Sequence, residues 1–408
     1  MNIAFLTEDI FGIGGVQRVV STLANAMAPG NNVSIICINK SIKVDRNIYQ
    51  LDERVIVKNP KELQQINRGQ YFKKGLRYIN KKYFGFKNVS VLDYIYITKL
   101  DKDILSDFLN RNQFDIVVAA QLKLSMLLGS VADKVTTKCY GWQHNTFEAY
   151  FNTPHKYYWN QNALAKKYLA RLEGCVVLSK ADEEQYAKEI GLQTRCIYNP
   201  VHIVGGYEDA TNKKQVSEQQ IGAKKTNEQG IKRILFVGRL VKEQKGLDYL
   251  VEIIKGCSAF NYCFEIVGDG ADRPYLEDQI HQSGLERKVR FYGSTKNIQD
   301  YYINADLLVS TSRWEGFGLT LVEAMQFGIP CVAFDNSGPR EILGDSGAGI
   351  IVSKYDIVSF VESIHMILDD DEKYARFSNA ARKRYQDFNP DIIAVEWLKF
   401  LGEGYNGK

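Results

Sequence analysis

"EGFGLTLVEAMQFGIP", residues 315–330, sets two glutamates, Glu315 and Glu323, eight positions apart in an otherwise apolar, glycine-rich run. A carboxylate is costly to bury unless something pairs with it. The segment before it, "ADLLVSTSRW" (305–314), is a strand that stops at Trp314. Residues 315–318 then form a loop, and Leu319 to Phe327 a short helix stopped by Gly328 and Pro330. Glu315 therefore lies in a loop at a strand end, and Glu323 lies in a helix that has no charged face. Gly316, Phe317, Gly318 and Leu319 present backbone N–H groups at a helix start, where anions bind. Each carboxylate can grip a vicinal diol. The alternative for Glu323 is to cap neighbouring backbone or to pair with an arginine.

Outward from this stretch, short apolar strands alternate with helical segments. "IKRILFVGRL" (231–240), "YCFEIVGDG" (262–270), "KVRFYGS" (288–294) and "IPCVAFD" (329–335) are strands of the same half. The first half repeats the pattern with "NIAFLT" (2–7), "NNVSIICIN" (31–39), "QFDIVVAAQ" (113–121) and "EGCVVLSK" (173–180). Between the first two lies a glycine-rich turn and a helix with Val19, Leu23 and Met27 on one face. Such βαβ units build parallel sheets covered on both faces. The reading is α/β, with two Rossmann-like, doubly wound domains facing an interdomain cleft. Residues 1–198 form the first domain and 231–388 the second. The polar stretch 199–230 is a linker and insertion. The tail 389–408 is a last helix expected to cross back to the first domain. Ligands of open parallel sheets bind at the carboxyl ends of the strands.

Two further motifs fall at such ends. In "FGIGGVQR" (11–18), Gly14 and Gly15 open a helix and let backbone approach a phosphate; a tight βα turn is the plainer explanation. The spacing is not that of a dinucleotide fingerprint. In "FVGRLVKEQKG" (236–246), Arg239 and Lys245 follow a buried strand at once, which suits a diphosphate. Composition excludes other classes. With 45% hydrophobic and 25% charged residues and a net charge of +4, the chain is an ordinary soluble protein with no demand for nucleic acid. Seven dispersed cysteines without a CxxC pair read as reduced cytosolic thiols, and the five scattered histidines make no metal site. No 18-residue apolar run exists, and "MNIAFLTEDI" is not a signal peptide.

The run "EGFGLTLVEAMQFGIPCVAFDNSGPREIL" (315–343), with "GGVQRVVSTLANAM" (14–27), "VGRLVKEQKG" (237–246) and "VGDG" (267–270) in this order, resembles the retaining glycosyltransferases of family 4, which have the GT-B fold. The tail "DNSGPREIL" is most similar to the bacterial polysaccharide and lipopolysaccharide group. The resemblance implies that Glu323 holds the ribose of a nucleotide sugar and that Glu315 contacts the donor sugar. It implies that the amides of Gly316–Leu319 meet sugar and diphosphate while Arg239 and Lys245 neutralise the leaving group. His144, in "KCYGWQHNTF" (138–147), corresponds to a histidine near the donor sugar. A UDP-sugar donor, no cofactor and no metal are expected. Glu8 and Asp9, at the first strand's end, are candidates for the acceptor.

Residues 66–88, "INRGQYFKKGLRYINKKYFGFKN", hold seven lysines or arginines, six aromatics and no acid. A solvated basic helix is one reading. A surface resting on anionic lipid, beside a lipid-linked acceptor on the cytoplasmic face of the plasma membrane, is the other. Two alternatives remain for the whole chain: a non-catalytic GT-B partner subunit, disfavoured because the cleft residues are present, or a transferase acting on a soluble or protein acceptor.

Overall fold

The computed structural model describes residues 1–12, 14–39, 44–66, 73–203, 230–295 and 297–403. Most of the polar stretch 199–230, and Arg68, Tyr71 and Phe72 of the basic segment, lie outside the described residues. The chain forms two compact units, Met1–Pro200 with Pro390–Lys408, and Val201–Asn389.

The first unit is built on seven strands: β1 (Asn2–Thr7), β2 (Asn32–Cys37), β3 (Ile56–Lys58), β4 (Ile116–Ala120), β5 (Lys138–Trp142), β6 (Gly174–Val177) and β7 (Arg195–Cys196). Their order is β3-β2-β1-β4-β5-β6-β7, every pair parallel. The central strands are buried along nearly their whole length, as strands covered on both faces must be. Helix Gly15–Met27 buries Val19, Leu23 and Met27, the face expected from their spacing, and Val20 beside them.

The chain returns to this unit through helix Pro390–Glu403. Trp397 is fully buried and meets the Trp142 ring edge-on, with centroids 4.9 Å apart. Phe400 meets Tyr140 at 5.4 Å and lies over Gly174, where a Cβ would come within 2.6 Å of its ring. Aromatic pairs of this kind add to an already large area burial, so the last helix is a structural part of the first core.

The second unit holds β8 (Lys232–Val237), β9 (Tyr262–Val267), β10 (Val289–Gly293), β11 (Leu307–Ser310), β12 (Cys331–Phe334) and β13 (Gly349–Val352). The order is β10-β9-β8-β11-β12-β13, again all parallel. Phe236, Ile266, Leu250 and Phe360 lie in its core. Each sheet starts at a central strand, winds outward one way and then the other. The order reverses between β1 and β4 in one unit and between β8 and β11 in the other, and such switch points open a crevice at the strands' carboxyl ends.

Candidate active site

In the second unit, the turns after β8 and β11 are fastened together. Helix Lys242–Lys245 ends at Gly246, whose φ of 61° is left-handed. A Cβ there would stand 2.2 Å from the Thr311 carbonyl oxygen, so only glycine permits the approach. Thr311 Oγ1 donates to the Lys245 carbonyl at 2.7 Å. Arg313, two residues on, donates to the Lys242 carbonyl at 3.0 Å and pairs with Asp248 at 2.6 Å. This scaffold brings Lys245 Nζ to 2.6 Å from Glu315 Oε2, with the side chains 14% and 20% exposed. Ser312 Oγ lies 3.5 Å from the same oxygen.

The loop carrying Glu315 rests on the start of helix Ser337–Leu343. A Cβ on Gly338 would come within 2.6 Å of the Phe317 carbonyl oxygen, so the "SGP" glycine seats the loop. Gly318 then starts helix Leu319–Gln326. Glu323, on that helix, is 2% exposed, and its Oε2 accepts a hydrogen bond from the Tyr302 hydroxyl at 2.7 Å. The Tyr302 ring is stacked on Phe327 at 5.6 Å, which holds the donor in place. Arg239 is exposed on the turn after β8, and its side chain has no partner among the described residues. The structure therefore joins Lys245 to Glu315, puts Arg239 on the same side of the switch point, and gives Glu323 a separate partner.

In the first unit, the Gly14 N–H donates to the Tyr49 hydroxyl at 2.9 Å, and that hydroxyl donates to the Gly12 carbonyl at 2.9 Å. Tyr49 thus occupies one of the amides that sequence reasoning set aside for phosphate; Gly15 begins the helix. Asp9 accepts from the Phe11 N–H at 2.9 Å, and Glu8 pairs with Lys123 at 2.6 Å. His144 follows β5 and packs on Trp142, with ring centroids 4.4 Å apart. Its Nε2 is buried without a hydrogen-bond partner among the described residues. Burial pushes its pKa down to about 3, so the ring is neutral near pH 7. A buried polar atom left unpartnered in a native fold asks for an explanation, and a ligand is one.

Sequence reasoning missed Tyr302, Tyr49 and Lys123. Each meets its partner across the fold at a separation of 21 residues or more, so no local spacing announces it. Among the described residues, no group of three His, Cys, Asp or Glu is placed to hold a metal ion, and no helix is long and apolar enough to cross a membrane.

Residues 217–384 match the family model "Glycosyl transferases group 1". The amylovoran biosynthesis glycosyltransferase AmsD of Erwinia amylovora is 24% identical, over 97% of this chain and 98% of its own. An enzyme of Campylobacter jejuni is 23% identical over 100% of this chain and 99% of its own. It is named GalNAc-alpha-(1->4)-GalNAc-alpha-(1->3)-diNAcBac-PP-undecaprenol alpha-1,4-N-acetyl-D-galactosaminyltransferase. The structure of Anabaena HepE in complex with UDP superposes with a TM-score of 0.70 at 19% identity, covering 99% of this chain and 100% of that one. With its two Rossmann-like parallel sheets and these likenesses, the chain has the GT-B fold, and its residues 217–384 are similar to the group 1 glycosyltransferases.

Proposed function

We propose that the chain is a retaining, metal-independent transferase that moves a hexose or N-acetylhexosamine from a UDP-sugar to a growing lipid-linked glycan in cell-surface polysaccharide synthesis. The observation that carries this reading is the Lys245–Glu315 pair at the β8–β11 switch point, with Arg239 exposed beside it. In the reaction the bond from the anomeric carbon to the diphosphate breaks, and its electron pair stays on the diphosphate. The acceptor hydroxyl forms the new bond and gives up its proton to the departing diphosphate, whose oxygen has gained the electron pair. Fixed cations are most effective where charge grows in a partly dry site, so Arg239 and Lys245 stabilise the leaving diphosphate and take the place of a metal. Glu315 contacts the sugar hydroxyls. Glu323, oriented by Tyr302, contacts the ribose. Neutral His144 offers Nε2 to the donor sugar. The amides of Gly316–Leu319 complete the cradle, and no cofactor is required.

Docking on the inner face of the membrane is the second part of the proposal. Helix Lys74–Ile79 and the π-turn Asn80–Phe84 carry Leu76, Tyr78 and Tyr83 in the open, and Tyr94 lies exposed on the next helix. Lys73 sits over the Tyr94 ring at 3.6 Å and Lys82 over Tyr78 at 5.2 Å. Interleaved cations and aromatics suit an anionic lipid surface, and the undecaprenol-linked substrate in the Campylobacter relative's name points the same way.

The test is a thermal-shift screen of nucleotide sugars, then turnover with an isoprenoid-linked acceptor and NMR assignment of the product anomer. UDP-sugar turnover that survives EDTA and keeps the donor's configuration is expected. Activity abolished by chelation and restored by magnesium removes metal independence, and an inverted anomer removes retention. Exchanging Lys74, Lys82 and Lys87 for glutamate should release the protein from anionic vesicles in flotation. Equal flotation of variant and wild type leaves a solvated basic face and a soluble or protein acceptor.

A further inference from the structure

A cavity of about 280 Å³ lies in the unit that holds β1 to β7. The buried part of its wall includes Ile97, Leu124 and Leu127, and its outer part includes Arg77, Lys81 and Lys123. A second hollow, lined by Lys82, Tyr83 and His155, adjoins it and shares Tyr78 and Lys81. Three cations line the first cavity against one carboxylate, Asp101. That carboxylate accepts the Thr98 N–H at 3.1 Å in a helix cap.

The three cations are not equally committed. Lys123 pairs with Glu8 at 2.6 Å. Arg77 Nε donates to the Ile95 carbonyl at 3.3 Å, but its Nη2 is buried and makes no hydrogen bond among the described residues. Lys81 has no ion pair among the described residues. Burial lowers the pKa of both Arg77 and Lys81, and the charge of Arg77 lowers that of Lys81 further. Two like charges are thus held together, partly out of water, with a guanidinium N–H unspent. An oxyanion between them would relieve both, and the planar guanidinium fork is the group that matches phosphate best.

The apolar wall says what the anion is attached to. A free diphosphate has no use for Ile97, Leu124 and Leu127. Its volume falls just under the range of whole-ligand sites, roughly 300–1,000 Å³, a size that suits a segment of a longer molecule. The second hollow gives that molecule a way out, past the exposed Tyr78 and Tyr83. Lys123, just after β4, and Glu8, just after β1, mark the other end at the sheet's switch point.

We propose that this cavity is the site for the phosphate-bearing end of a polyisoprenyl diphosphate, with the phosphates on Arg77 and Lys81 and the first isoprene units against Ile97, Leu124 and Leu127. The lipid leaves past Tyr78, and the attached glycan extends toward Glu8 and Lys123. This rests on the reading of the chain as a transferase to a lipid-linked glycan, and names where that acceptor is gripped.

The experiment is calorimetric titration of the full chain with farnesyl diphosphate in saturating UDP, which keeps the nucleotide site filled. Wild type should bind it. Farnesol and inorganic diphosphate, each carrying half of the chemistry, should bind at least about tenfold more weakly. Arg77→Gln with Lys81→Gln should weaken farnesyl diphosphate by at least about tenfold, with the melting temperature unchanged. Leu127→Trp, which fills the apolar wall without touching a charge, should cause a similar loss. Wild type and both variants binding alike overturns the assignment, as does a wild type that binds none. Inorganic diphosphate binding as tightly as the farnesyl compound overturns the lipid part and leaves a plain anion site. UDP binding without farnesyl diphosphate binding overturns this site alone; the reverse result overturns the UDP-sugar transferase reading alone.

Discussion

Each unit bridges its switch point with one lysine–glutamate pair, and both pairs are 2.6 Å long. In the first unit Glu8 follows β1 and Lys123 follows β4; in the second Lys245 follows β8 and Glu315 follows β11. The topology is shared but the surroundings are not. The first pair is 39% and 37% exposed, the second 14% and 20%. Water and salt screen an exposed pair to little net worth. A half-dry pair has lost much of that screening, so removing one partner leaves the other in distress. The second unit also ties Arg313 to Asp248 and Glu323 to Tyr302, leaving only Arg239 of its candidate site charges exposed without a partner among the described residues, whereas the first unit leaves the buried Arg77 Nη2 without a hydrogen bond among the described residues. On the functions proposed above, the second unit's site is assembled in advance for its ligand, and the first unit's is a site that an anion would complete.

The sharpest way to break this contrast is Lys245→Ala. Loss of one preorganised charge-stabilising group typically costs roughly 100- to 1,000-fold in kcat, and that is the expected fall at saturating donor. A rise in KM with kcat intact would mean that Lys245 binds ground state and transition state alike. Next comes Glu323→Ala, expected to weaken UDP binding by about 1.5–3 kcal/mol, the worth of a hydrogen bond to a charged group. Tyr302→Phe, which leaves the carboxylate but removes its orienting hydroxyl, should cost about 0.5–1.5 kcal/mol in the same titration. UDP affinity unchanged in both folded variants would return Glu323 to a purely structural role.

Lys123→Ala sharpens the comparison from the other side. An exposed pair contributes about 0.2–1 kcal/mol, and less in high salt, so urea unfolding should show at most that loss, vanishing near 1 M salt. A larger, salt-independent loss would make the two pairs equivalent. The smallest effect at neutral pH concerns His144. Its folded pKa of about 3 lies below the ordinary histidine value, so between the two values the unfolded chain binds the extra proton. Its contribution to stability is complete above about pH 6.5 and is lost as the pH falls toward 3. His144→Phe should therefore flatten the decline in stability between pH 7 and pH 4. An equal decline in both proteins would show that the ring takes up its proton in the folded state.

Much of this was legible in the sequence. Long buried strands such as "IAFLT" and "RILFV" announce themselves by composition, and the glycines and glutamates of 315–323 fall at strand and helix ends that such strands define. Three strands were passed over for physical reasons. β3 and β7 have only 3 and 2 residues and sit at the two edges of their sheet, and β13 is a 4-residue edge strand that begins at Gly349. The basic segment shows six residues of helix and then a π-turn ended by Gly85 at φ 52°. Its charge and aromatic content were visible, but the cavity behind it was not. That hollow is made by Ile97, at the end of one helix, and by Leu124 and Leu127 on another, and no periodicity in one segment describes a space enclosed by several.

The burial of Trp397 against Trp142 sets an order of events during synthesis. The second unit is one continuous stretch, Val201–Asn389, and can close as soon as it has emerged. The first unit is begun earlier but lacks a wall until residues 390–403 arrive. At about 5–20 residues per second on the ribosome, the N-terminal half waits through the making of the C-terminal half with Trp142, Tyr140 and the Gly174 notch uncovered. The unit that starts first is therefore finished last, and a chain cut short before Trp397 would carry a complete second unit beside an aromatic wound that invites aggregation.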